Sequence, residues 1–209
     1  MLIPIDVMAV FISASLALAV APGPDNLFVL SQSALYGRKS GLLVTLGLCS
    51  GLLLHISAAT LGVAAVFQTS LLAFNMLKAV GAAYLLFLAS QAFKAGAVEL
   101  NAGSNTGLGS KELYFRGIIM NVTNPKVALF FLAFLPQFTD STRGPMTLQM
   151  LLLGVIFMAS TLLVFGFVAW FAGFFGNRLQ QSSAMQAVLN RVAGIVFVGL
   201  AVRLLVAQR

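Results

Sequence analysis

The stretch Ala21-Pro22-Gly23-Pro24-Asp25-Asn26 lies inside an apolar run from about Ile5 to Leu35. A second proline interrupts a later apolar run at Asn121-Val122-Thr123-Asn124-Pro125-Lys126. Each proline removes a backbone donor and clashes with the preceding turn, so a helix breaks there. Gly23 adds backbone angles that other residues avoid. In hydrocarbon, each freed backbone group costs several kcal/mol unless protein or a water-filled cavity takes it up. Paired breaks at corresponding positions of two halves point to the binding site of a membrane carrier.

Composition makes lipid the solvent. Of 209 residues, 60% are hydrophobic and 8% charged, against about 25% charged in a soluble domain. The net charge of +7 does not indicate a nucleic-acid partner, because the basic residues gather at helix ends and loops as membrane topology demands. Cys49 and His55 are single, which excludes an intrachain disulfide and a Cys-based metal site. Residues 7–21 end in Ala19-Val20-Ala21, as a signal peptide would. However, no Lys or Arg precedes the run, Asp6 opens it and Pro22 follows it, so the segment is expected to be retained in the membrane.

Six apolar segments follow from the pattern: Ile5 to Leu35, Gly41 to Phe67, Leu71 to Phe93, Leu113 to Phe138, Met146 to Phe175 and Ala187 to Val206. Each approaches the ~20 residues that span a bilayer. No strand-like alternation appears, so an all-α membrane protein is expected, its first and fourth helices broken by prolines. Residues 1–93 would form one three-helix repeat and 113–209 another, joined by a polar linker over 94–112, in one transmembrane domain. Lys78, Gly81 and Tyr84 recur as Arg191, Gly194 and Phe197, and Pro24-Asp25 as Pro125-Lys126. An odd number of helices per half inserts the halves in opposite senses, giving an inverted 3+3 repeat. Arg38, Lys39, Lys94, Lys111, Arg116, Arg178 and Arg191 outnumber Lys78, Arg143, Arg203 and Arg209 on the other side. The excess puts the first set in the cytoplasm and both termini in the periplasm.

The candidate substrate-binding residues are those of the two breaks: Pro22, Gly23, Pro24, Asp25 and Asn26, with Asn121, Asn124, Pro125 and Lys126. A half-helix N-terminus inside the membrane presents N–H groups and a partial positive charge to an anion. Asp25 or Asn26 is suited to cap the helix restarting there. Asp25 and Lys126 are the charged residues expected deep in the membrane, where charge is costly and usually paired or functional. They are expected to line one cavity. Asp25 would bind an ammonium group or carry a coupling proton, and Lys126 would hold a carboxylate or neutralise Asp25. The alternative is a capping Asp25 with Lys126 snorkelling to an interface. Imidazole changes charge near neutral pH, making His55 a second proton-coupling candidate, though a lone membrane histidine more often joins helices. Gly47 and Gly51 form a small-residue face for helix packing. Gln137, after Pro136, reads as a helix terminator or a gate.

Enzyme motifs are missing: there is no zinc-type His cluster, no nucleophile elbow and no phosphate loop. No cofactor is implied. A heavy-metal or small-ion exporter would call for clustered Cys, Met, His or carboxylates, and the 8 Met are scattered. A membrane redox or scaffold protein is the remaining alternative, but redox chemistry normally needs a Cys pair or haem ligands, and one Cys and one His are too few.

The Ala21–Asn26 block, the helix 2 glycines, and Asn124-Pro125-Lys126 leading to Phe134-Leu135-Pro136-Gln137-Phe138 resemble the LysE/RhtB family of bacterial amino-acid exporters. The resemblance covers essentially the whole chain. It implies efflux of amino acids across the inner membrane by proton antiport. The similarity is greater to the branch exporting neutral substrates such as threonine, homoserine or leucine. A homodimer is compatible with this plan. A zwitterionic substrate needs an anion partner, a cation or N–H partner and a shaped pocket. Asp25, Lys126 and the half-helix ends would provide the first two, and Phe28, Phe130 and Phe131 the third.

Overall fold

The computed structural model describes residues 1–21, 23–63, 71–94, 108–181 and 183–206. Pro22, Arg209, the far end of the second apolar segment and most of the 94–112 linker lie outside them. Among the described residues every regular element is helical.

Helix α1 spans Ile5–Val20 and α2 spans Pro24–Tyr36. Pro24 takes the first helical position, where its missing N–H costs nothing. The two axes differ by 61°. Gly37 turns the chain at a φ of 86°, a left-handed angle that suits glycine. Helix α3, Arg38–Ala58, continues into a π-helical turn at Ala59–Val63. Helices α4, Leu71–Lys94, and α5, Ser110–Val122, follow. The second break then starts α6 at Pro125–Leu129, which runs on as a π-helical turn, Phe130–Phe134, and a 3-10 turn, Leu135–Phe138. This run departs from α5 by 48°. Helices α7, Met146–Gln181, and α8, Ser183–Val206, complete the described chain.

Arg38–Gly62 and Met146–Ala172 are each long and apolar enough to cross a membrane, and taking each bent pair as one span raises the number to as many as four. Large apolar side chains such as Leu53, Leu54, Leu163 and Val202 face outward, an arrangement suited to lipid and costly in water.

Close approach of α3 and α5 depends on glycines. A Cβ on Gly47 would collide with the Tyr114 carbonyl and lie 3.1 Å from the Gly117 Cα. One turn on, a Cβ on Gly51 would meet the Asn121 Cβ at 2.8 Å. Among the described residues two apolar clusters fill the interior. One is aromatic, with Phe11, Phe130, Phe131, Phe134, Phe138 and Phe157. The other gathers Val29, Val44, Leu48, Leu113 and Phe165.

The loop between α6 and α7 is tied down by one side chain. Buried Gln149 accepts from the Asp140 N–H at 3.0 Å and donates to the carbonyls of Asp140 and Gly144 at 2.8 and 3.1 Å.

Candidate functional site

The first break frees carbonyls at the end of α1, and every one finds a donor. Ala17 O accepts from the Ala21 N–H at 2.9 Å. Lys126 Nζ donates to Leu18 O and to Ala21 O, both at 3.2 Å. Asn26 Nδ2 donates to Ala19 O at 2.7 Å and to Val20 O at 3.4 Å. An unmade bond in this setting costs several kcal/mol, so these two side chains are what allow the break to exist in an apolar interior.

Two expectations are corrected here. Neither Asp25 nor Asn26 caps α2: the cap position is Gly23, with no side-chain hydrogen bond. Asn26 turns back because the α1 carbonyls are the nearer unmet need. Nor does Lys126 snorkel to an interface, since it is buried against the break.

The second break is capped by a side chain of its own. Asn124 Oδ1 accepts from the Lys126 N–H at 3.0 Å. The same amide donates through Nδ2 to Asp25 Oδ2 at 2.7 Å. One side chain therefore caps α6 and holds the carboxylate of α2. Asp25 is 2% exposed, and its Oδ1 has no hydrogen-bond partner. Each charge also sits at the favourable pole of a half-helix: Asp25 in the first turn of α2, Lys126 at the end of α1.

Asp25 and Lys126 line one cavity of about 20 Å³, and no ion pair within 4.0 Å joins them. Asn121 and Thr161 add polar groups, and Leu18, Leu52, Phe157 and Phe165 supply apolar wall. That volume holds about one water molecule. Lys126 also borders a second cavity of about 10 Å³, beside Tyr84, Phe130 and Phe134.

Gly23 backs the ammonium closely: a Cβ there would lie 3.3 Å from Lys126 Nζ. Pro24 and Pro125 open their helices. Asn121 lines the cavity with Oδ1 unpartnered. Its backbone carbonyl, which Pro125 cannot serve, faces His55 Nε2 at 3.1 Å. A carbonyl only accepts, so Nε2 carries the proton in this contact. The imidazole stacks on Phe131 with centroids 6.0 Å apart, and His55 does not border the cavity.

The aromatic wall differs from expectation. Phe28 lies under the Arg116 guanidinium, 5.0 Å from its ring, Phe131 packs in the aromatic cluster, and Phe130 borders the second cavity and not the first. Phe157 and Phe165 of α7 border the first cavity, with Thr161 between them at helical spacing. The one signal for Thr161 is its position in a long apolar run. Gln137 sits in the 3-10 turn that ends at Phe138, its Nε2 unpartnered. Among the described residues no three His, Cys, Asp or Glu side chains gather as a metal site would require.

Known proteins similar to this chain agree over nearly its full length. An uncharacterised membrane protein of Vibrio cholerae serotype O1 is 30% identical over 205 residues, spanning 98% of both chains. The leucine efflux protein of Enterobacter sp. (strain 638) is 29% identical over 188 residues, 90% of this chain and 89% of the relative. That of Salmonella typhimurium is 28% identical over 199 residues, 95% and 94% of the two. No solved structure matches significantly. The model of the LysE type translocators matches residues 16–208, and the chain belongs to that family.

Proposed function

We propose that the protein is a secondary transporter exporting neutral amino acids, of the leucine, threonine or homoserine kind, across the bacterial inner membrane by proton antiport. The observation that carries this reading is a cavity that Asp25 and Lys126 share where two broken helices meet. Relatives named leucine efflux proteins support the amino-acid class. The free Asp25 oxygen takes the substrate ammonium or the coupling proton. Lys126, with two donors engaged by α1, keeps a third for a carboxylate. His55 is the second candidate on the proton path. The chemistry is transport, with no bond made or broken in the substrate and no cofactor.

Six spans follow if α1–α2 and α5 with its α6 run each cross once and α3, α4, α7 and α8 cross singly. The packing supports an inverted repeat. Exchanging the halves maps α3 against α5 onto α7 against α1 and α2, and maps α4 against α8 onto itself. The charge excess supports cytoplasmic placement of the Arg38 end, with both termini periplasmic, and the Arg38 guanidinium over Trp170 at 4.5 Å is of the kind found at an interface. A cavity holding one water is too small for an amino acid, so admission requires one repeat to move against the other.

The test is uptake of labelled leucine and threonine into proteoliposomes, with and without an imposed pH gradient. Gradient-driven accumulation that Asp25→Asn abolishes is expected. Transport with unchanged pH coupling in Asp25→Asn removes Asp25 as proton carrier, and no transport across a broad amino-acid panel overturns the reading.

A further inference from the structure

Unwound carbonyls at the end of a half-helix are the usual ligands of a coupling cation in carriers with broken helices. In this chain the carbonyls of Leu18 and Ala21 converge on one point, and an ammonium stands there, 3.2 Å from each. Gly23 leaves room for it. Asp25 supplies a formal negative charge on the same cavity, with Oδ1 unpartnered. Among the residues bordering either cavity, Asp25 and Lys126 are the charged ones.

These groups describe a monovalent-cation site with its occupant attached to the protein. The carbonyl oxygens bring partial negative charge and the α1 dipole adds to it. The occupant arrives from the opposite half of the chain, 105 residues beyond Ala21. We propose that the end of α1, with Asp25, is a monovalent-cation site of ammonium size, filled by the Lys126 ammonium in place of a free ion. The native chain then needs no alkali cation to hold its first break. Shortening Lys126 opens the site to a free cation of similar radius, such as potassium or methylammonium. Choline is too bulky to enter. The inference concerns how the break is held together and does not depend on which solute is carried.

The test is the melting temperature of the full chain in lipid nanodiscs, unmodified and as Lys126→Ala. Choline, potassium and methylammonium chlorides are compared at equal ionic strength. At about ten times the half-saturating concentration, the variant should melt about 3–6 °C higher in potassium or methylammonium than in choline. The unmodified chain should differ by about 1 °C or less among the three salts, because its site is full. If Lys126→Ala cannot be purified, Lys126→Ser, which leaves a small hydroxyl and most of the same space, is read in the same way. A folded variant that melts alike in all three salts overturns the inference, as does an unmodified chain that responds as strongly as the variant. Failure of both variants to fold even in methylammonium also overturns it, because a refilled site must support the break.

Discussion

Replacing Asn124 with Ala removes two functions of one amide, and the structure allows each to be weighed. Loss of the Oδ1 acceptor uncaps α6 at the Lys126 N–H, worth about 1 kcal/mol. Loss of the Nδ2 donor strips the 2.7 Å bond from buried Asp25, and a hydrogen bond to a charged group contributes about 1.5–3 kcal/mol. The expected cost of Asn124→Ala is therefore about 2.5–4 kcal/mol. Asn124→Ser separates the parts. Serine caps as well as asparagine but is too short to donate to Asp25, so it should lose only about 1.5–3 kcal/mol. The assay is denaturant unfolding in mixed micelles, extended to a double-mutant cycle of Asn124→Ala with Asp25→Ala. The cycle should return a coupling above about 1.5 kcal/mol. A coupling near the ~0.6 kcal/mol average of neutral side-chain bonds in membranes would refute a carboxylate–amide contact of this strength. Equal stability of Asn124→Ser and the unmodified chain would refute it as well.

Gly47→Ala should destabilise by about 1–3 kcal/mol, because its methyl overlaps the Tyr114 carbonyl. Gly199→Ala, whose Cβ meets nothing within 4 Å inside α8, should gain about 0.4–1 kcal/mol in the same unfolding assay. Thr161→Val should lower the threonine-to-leucine transport ratio several-fold in competition uptake. The Thr161 hydroxyl already donates to Phe157 O at 2.9 Å and so offers the cavity an acceptor, while valine offers a methyl; an unchanged ratio removes Thr161 from the side-chain pocket. Asp140, in the loop outside the spans, accepts from the Thr142 hydroxyl and N–H and from Arg143, and these bonds hold its carboxyl below the ordinary 3.8. Its depressed folded value means that its contribution is fully present above pH 3.8 and fades as pH falls through that lower value. Amide exchange at Thr142, followed by NMR and corrected for intrinsic rates, should therefore stay slow at pH 5 and quicken only well below pH 4. Quickening between pH 6 and 5 would contradict this.

The helical class, the lipid environment and the positions of both breaks were legible in the sequence, because each is a local property. Pro24 and Pro125 cannot continue the helix of the preceding turn and instead begin a new one, and 60% hydrophobic residues cannot be buried by a chain this short. The capping of α6 by Asn124 acts within its own turn, yet in the sequence Asn124 reads only as a neutral polar group at the break. The partners of Asn26 and Lys126 were not legible. Lys126 reaches Leu18 across 108 residues, and only the packed crossing of α1 with α6 determines which carbonyls lie within its reach. The cavity wall was hidden for a different reason. Along α7, lipid and protein core both favour apolar side chains, so the run carries little record of which face turns inward. Packing turns Phe157, Thr161 and Phe165 towards Asp25 and leaves Leu163 to the outside. Proline and composition act through the covalent chain and its solvent, whereas the occupants of the breaks and the cavity wall depend on distances that exist only once the helices have packed.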